Sequence, residues 1–260
     1  MSRLLEELSG PAVARTLTAE SVLVLPTGAI EHHGEHLPLA PDRIMAEAVA
    51  TAAVDRAVDR GVDAWLLHPI AYTKSDEHSW APGTMWLSAE TLMATLVDLG
   101  RSIAMTPART LVFLNGHGGN VALLQVALRE LRRRFGLQTF FMGYPVPAGD
   151  GVDGPDELGM GIHGGHGETS IMLHLRPDLV DLERAERRVP EHLAGFPRIG
   201  FHSTPVILGW LSNDFDPSGV IGDPTAATAE RGAEIFEAAV EESARSLEEI
   251  ARFDPAAPAG

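Results

Sequence analysis

An α/β fold with a mostly parallel sheet flanked by helices is what this sequence predicts, on three observations. Apolar runs of strand length alternate with longer stretches of helical periodicity, the rhythm of βαβ units. The chain is 260 residues long, enough for one sizeable core, and is read as a single domain over 1–260. Hydrophobic residues make up 45% and charged residues 22%, which excludes wholesale disorder, collagen-like repeats and coiled coil.

The elements follow in order. Residues 22–25, Val-Leu-Val-Leu, read as a buried strand ended by Pro26-Thr27-Gly28. Helical periodicity runs from Pro41 to about residue 58, with the proline suited to a first turn. Residues 65–67 form a short second strand. A helix over 88–105 carries Leu92, Leu96, Leu99 and Ile103 on one stripe, with Ser88 and Thr91 offering a cap. Residues 110–114 are the third strand and run straight into Asn115-Gly116-His117-Gly118-Gly119-Asn120. The next helix puts Leu124, Leu128, Leu131 and Phe135 on one face, and residues 139–142 are the fourth strand. Residues 143–167, rich in Gly, Pro and Asp, read as a long loop, functional or mobile. A shorter helix starts near Glu168. A C-terminal helix over 226–250 buries Phe236, Val240, Leu247 and Ile250 and exposes an acidic remainder. The tail 254–260 is expected to fray. There is no internal repeat.

Charge narrows the partners. Twenty Lys and Arg against 36 Asp and Glu give a net charge of −16, which repels phosphate backbones and anionic lipid, so neither nucleic acid nor a membrane surface is expected as partner. No apolar stretch approaches the roughly 18 residues of a membrane span. The first residues lack a basic segment followed by an apolar run, so no signal peptide is expected. Cysteine is absent, which excludes disulfides, thiol nucleophiles and cysteine metal sites and fits a cytoplasmic setting.

The eleven histidines carry the chemistry, because they cluster. Glu31, His33 and His36 lie just past the first strand, and Asp42 returns at the start of the next helix. Two residues apart on an extended segment, Glu31 and His33 project to one side. Imidazoles with carboxylates suit Zn²⁺, Mn²⁺ or Fe²⁺ rather than Ca²⁺, and one carboxylate can bridge two ions. His117 sits between glycines that let backbone approach a ligand, and Asn115 and Asn120 can tie neighbouring loops together. His163, His166 and Glu168 form a third group on a loop before a helix. Read one at a time, each group has a bland alternative: loop histidines satisfying backbone, a glycine-rich turn, a carboxylate at a helix start. Two motif matches are decoys. His32-His33-Gly34-Glu35-His36 spells a helical zinc-peptidase signature, but Gly34 and Pro38 oppose a helix there. Gly159 to Gly164 spells G-x-G-x-x-G but follows no strand. Trp80, Trp86 and Trp210 could wall a pocket or belong to the core.

Together, E-x-H-G-x-H-L-P-x-x-x-D, N-G-H-G-G-N and H-x-G-x-x-E-T-S, in this order, resemble the creatininase family of metal-dependent amidohydrolases. Ser75-Asp76-Glu77-His78 with Pro82-Gly83-Thr84 resembles that family's stretch between the first two motifs, and the similarity runs from about residue 20 to 250. The resemblance implies a creatininase-like α/β sandwich, commonly a hexamer, with two divalent metal ions (Zn, Mn or Fe) per subunit. It implies Glu31, His33, Asp42 and His117 as metal ligands, with Asp42 as the bridge. Creatininase has a glutamate where this chain has Gly119; Glu168 is implied as the replacement ligand. His163 falls on a histidine of proton transfer, His36, Asn115 and Asn120 would orient the ligands, and His166 could contact substrate. The expected reaction is hydrolysis of a non-peptide or cyclic amide C–N bond by a metal-activated bridging water. The alternatives are a peptidase trimming the mycofactocin precursor peptide, and a non-catalytic metal-binding oligomer. The partners expected are a small amide or short peptide and further copies of the chain.

Overall fold

The computed structural model describes residues 2–152, 154–202 and 204–256. Its centre is a parallel sheet of four strands, β1 (Val22–Thr27), β2 (Ala64–Leu66), β3 (Thr110–Asn115) and β4 (Gln138–Gly143), in the order β2-β1-β3-β4. Six α-helices accompany it among the described residues: α1 (Gly10–Thr16), α2 (Pro41–Asp59), α3 (Ala89–Ala104), α4 (Val121–Phe135), α5 (His166–Leu175) and α6 (Ala229–Arg252). The expected α/β architecture is therefore present, and every expected strand lies within a residue or two of its anticipated place.

Alternation along the strands builds two cores. Val22, Val24, Val112 and Leu114 point to a layer containing α2 and α6, where Val49, Ala53, Val240 and Leu247 are buried. Leu23, Leu25, Leu111 and Phe113 point to the opposite layer, against Leu92 and Leu96 of α3 and Leu124 and Leu131 of α4. Strands buried on both faces read as continuous apolar runs, which is why β1 and β3 carry so little polarity. A third, smaller core of Leu37, Met45, Ile171, Met172 and Ile235 seats α5 between α2 and α6.

Several expectations need correction. Leu99 is 37% exposed; on that turn of α3 the buried residue is Gly100, packed against Leu131, because a 3.6-residue period drifts off a strict i+7 step. On α6, Ile235 is buried while Phe236 and Ile250 are only partly so, and the helix begins at Ala229 with the Thr228 side chain accepting from the Arg231 N–H. Helix α1 was not anticipated, being too short to show a period. The described residues of 144–165 form no helix or regular strand, close to the expected loop over 143–167, and the loop is pinned. The buried Glu157 carboxylate accepts the backbone N–H groups of His166 and Asp223, and His163 bridges to Ile221. The tail expected to fray, 254–260, falls in part on 257–260, outside the described residues.

The topology fixes where a site can form. From β1 the chain crosses through α2 to β2 on one side; from β3 it crosses through α4 to β4 on the other. The two helices lie on opposite faces, so a crevice opens at the carboxyl ends of β1 and β3, the switch point where open α/β sheets bind ligands. Thr27 and Asn115 end the two strands side by side in register, and the Thr27 hydroxyl bonds Asn115 Oδ1 at 3.0 Å. The β1 exit also runs directly beneath the start of α2: a Cβ at Gly28 would lie 2.5 Å from the Arg43 backbone. Only glycine permits that approach, and it brings Asp42 back over the loop that carries Glu31 and His33.

Candidate metal centre

Glu31, His33, Asp42, His117 and Glu168 converge at this crevice. Ligand-type atoms of Glu31, Asp42 and His117 lie within 4.8 Å of one another, as do those of His33, Asp42 and Glu168, so Asp42 belongs to both groups. Its two oxygens divide the work: Oδ1 is 3.4 Å from His33 Nε2, and Oδ2 is 3.1 Å from His117 Nδ1. Glu168 Oε1 lies 3.3 Å from His33 Nε2, while its Oε2 accepts the Gly164 N–H at 2.6 Å. Near the start of α5 the helix dipole favours this carboxylate.

Backbone carbonyls set the tautomers. His33 Nδ1–H donates to the Glu31 carbonyl at 3.1 Å, which turns Nε2 toward Asp42 and Glu168. His117 Nε2–H donates to the Lys74 carbonyl at 2.8 Å, which turns Nδ1 toward Asp42. His163 Nε2–H donates to the His32 carbonyl at 2.7 Å and leaves Nδ1 3.6 Å from Glu31 Oε1. Such tethers are how proteins hold imidazoles for a cation. His33 Nε2 and Asp42 Oδ2 are buried without a hydrogen-bond partner. Buried polar atoms are rarely left so, and here they face each other's carboxylates and imidazoles. The donor set and its orphaned atoms fit divalent transition-metal ions.

Charge is balanced by protons in the metal-free chain. Burial opposes ionisation of His33, but the Glu168 and Asp42 carboxylates outweigh it and hold the imidazole well above its usual range. His117 is raised in the same way, against burial, chiefly by Glu31 and Asp42. Asp42 is held well below the carboxylate range, burial being overcome by His33 and His117. Burial pushes Glu31 up to about 8. His163 moves the other way, depressed by burial and by the neighbouring His33 and His78. Metal ions entering such a site would displace the protons on His33 and His117.

The asparagines and His36 tie the surrounding loops together. Asn115 Nδ2 donates to the His117 carbonyl at 2.6 Å, and Asn120 Nδ2 donates to the Gly28 carbonyl at 3.1 Å. Asn120 Oδ1 accepts the Lys74 N–H, so two asparagines bind the loops after β1, β2 and β3 into one frame. His36 Nε2–H donates to the Gly164 carbonyl at 3.0 Å, anchoring the loop that carries His163. His166 stands apart: among the described residues no polar contact joins it to the five clustered groups. It lines a separate cavity of about 320 Å³ with Pro147, Gly149, Pro155 and Arg231. Of the tryptophans, Trp80 packs edge-on against His32, Trp86 is 44% exposed, and Trp210 joins Phe201 and Phe215.

The segment after β2 supplies groups the motif reading did not assign. The Ser75 hydroxyl donates a short hydrogen bond to Glu31 Oε2. Glu77 Oε1 is 3.3 Å from His117 Nε2, and His78 Nε2 is 3.5 Å from Glu31 Oε1. The His78 ring stacks on His163 with centroids 4.1 Å apart. Tyr144, just past β4, buries a hydroxyl without a partner. The available signal was positional: a Ser, two acids and a His follow β2 just as the site motifs follow β1 and β3.

A family model described as creatinine amidohydrolase matches residues 6–247. The chain belongs to the creatininase family. It is 37% identical over 96% of its length to the mycofactocin precursor peptide peptidase of Mycobacterium tuberculosis, covering 92% of that protein. It is 34% identical over 91% of its length to the creatinine amidohydrolase of Pseudomonas putida, covering 92% of it. A solved manganese form of creatininase superposes with a TM-score of 0.75 at 29% identity, over 97% of this chain and all of the other. This chain is accordingly a creatininase-type amidohydrolase with the family's fold, as the motifs led one to expect. Among its described residues no helix is long and apolar enough to cross a membrane.

Proposed function

We propose that this creatininase-family protein hydrolyses an amide C–N bond at a two-metal centre and that its substrate is a short precursor peptide. The observation that carries the centre is the sharing of Asp42 between two buried triads. Glu31, Asp42 and His117 would hold one divalent ion, and His33, Asp42 and Glu168 the other. Manganese and zinc are the favoured ions, since creatininase structures are described in Mn and Zn–Zn forms. Bound there, the ions would supply Lewis-acid activation of water and polarisation of the scissile carbonyl.

The chain's own residues do the rest. Asp42, held ionised by His33 and His117, carries negative charge that draws cations into a buried crevice. His163, tethered through Nε2–H to the His32 carbonyl, keeps Nδ1 turned toward the cluster and unprotonated at neutral pH. That nitrogen is placed to accept a proton as water is consumed and to return it to the leaving amine. His36 and the two asparagines keep the loops from drifting. Cytoplasmic location and a homo-oligomeric state belong to the same proposal.

The peptide reading is supported by the similarity to peptidases over nearly the whole chain at 37% identity. A small cyclic amide is the second reading, supported by the 34% identity to a creatinine amidohydrolase. Incubating the manganese-loaded protein with a C-terminal precursor peptide, and separately with creatinine and simple lactams, tests both. A new amine terminus within the peptide is the expected product; hydrolysis of the lactams alone would establish the second reading. Metal analysis should find about two equivalents per chain, falling sharply in His117→Ala. Metal binding without turnover of any amide would overturn the catalytic proposal.

A further inference from the structure

We infer that Glu77 acts beside the Lys74 carbonyl to orient His117 and strengthen it as a ligand, and that Gly119 leaves room for both. The inference rests on the two-metal reading above. His117 has one nitrogen on each side of the problem. Nδ1 faces Asp42 Oδ2 at 3.1 Å, so it is the atom available to a cation. Nε2 donates to the Lys74 carbonyl at 2.8 Å, with Glu77 Oε1 3.3 Å and Glu31 Oε2 3.4 Å from the same nitrogen. A carboxylate behind a ligating imidazole draws the proton to the far nitrogen, fixes the ring plane and raises the basicity of the near one.

The backbone shows that this contact is built in. A Cβ at position 119 would collide with Glu77 Oε1 and lie 2.5 Å from His117 Nε2 and 2.6 Å from the Lys74 carbonyl. Glycine at 119 is what lets the Lys74 carbonyl and the Glu77 carboxylate both reach His117 Nε2. By contrast a Cβ at Gly118, one residue earlier, would meet nothing within 4 Å. The crowding is confined to position 119, where the Lys74 carbonyl, the His117 ring and the Glu77 carboxylate all converge on the space a side chain would take. Glu77 arrives on the short turn Asp76–His78, held in place because Asn120 accepts the Lys74 N–H at 3.1 Å.

The discriminating variant is Glu77→Gln. Glutamine keeps the size and an acceptor oxygen, so a role limited to filling space is preserved, while the charge behind His117 is lost. Mn²⁺ affinity is read by competition with a chromophoric chelator, and stability by thermal unfolding in excess EDTA. The expected result is an affinity for one of the two equivalents weakened about 10- to 100-fold, the other unchanged, and the same unfolding midpoint in EDTA as the wild type. Two unaltered affinities in Glu77→Gln would overturn the inference and leave the two-metal reading standing. A wild-type protein that binds no Mn²⁺ would instead sink that reading. Complete loss of an equivalent that Glu77→Asp restores would make Glu77 a direct ligand, and would overturn the positioning role.

Discussion

The two corners that share Asp42 are built differently. The Glu31–Asp42–His117 corner is assembled from the ends of neighbouring strands and walled by Ser75, Lys74 and Glu77, and its Glu31 side chain is 1% exposed. The His33–Asp42–Glu168 corner depends on a residue from α5, beyond a long glycine-rich loop, and its Glu168 side chain is 13% exposed. The first corner is held by the sheet itself. The second is held by one backbone hydrogen bond to Gly164 and by His36 beneath that loop. We expect the first to bind its cation more tightly and the second to exchange more readily, since preorganisation sets the cost of closing a site.

Three changes would break or sharpen that contrast. Asp42→Asn strikes both corners at once. It should abolish retention of both ions on dialysis and lower kcat/KM on the order of a thousand-fold or more, about 4 kcal/mol of barrier. Retention of both ions in this variant would refute the shared-carboxylate arrangement. Glu168→Gln strikes only the exposed corner: one equivalent should leave on dialysis while the other stays, as followed by elemental analysis. If both leave together, the corners are coupled and the contrast fails.

The smallest effect concerns the support beneath the second corner. Burial pushes His36 down to about 4 from its ordinary 6.5, so the folded chain keeps it neutral where the unfolded chain takes up a proton. Stability is then unaffected by this group above about 6.5, falls as pH drops from there toward about 4, and changes no further below. The slope is at most about 1.4 kcal/mol per pH unit. In His36→Gln, denaturant unfolding between pH 7 and 4 should show a shallower loss. An unchanged slope would mean that other buried groups, such as His78 at about 3, dominate the acid response.

The legibility of the chain divides along the same line as the two corners. Strands β1 and β3 and helices α2 to α4 were plain in the sequence because each is long enough to repeat its period and is buried against the sheet. The candidate ligands Glu31, His33 and His117 were plain too, since they sit just after strands. Helix α1, the pinning of the 144–165 loop by Glu157, and the separation of His166 from the cluster were not. They depend on contacts between residues far apart in the chain, which leave no local period. Glu77 and His78 stood within a quoted stretch of sequence, yet nothing in it showed which way a three-residue turn would aim them.

What the sequence determined alone was the alternation of apolar runs and amphipathic helices, and hence a sheet whose carboxyl ends collect polar side chains, because burial on two faces demands that pattern. What only the tertiary structure decided was the pairing of those side chains. Asp42 reaches both His33 and His117 because the β1 exit passes under α2 at Gly28, and Glu77 reaches His117 because position 119 has no side chain. Distances of about three ångströms between residues dozens of positions apart are set by how layers pack, and packing is a property of the folded chain as a whole.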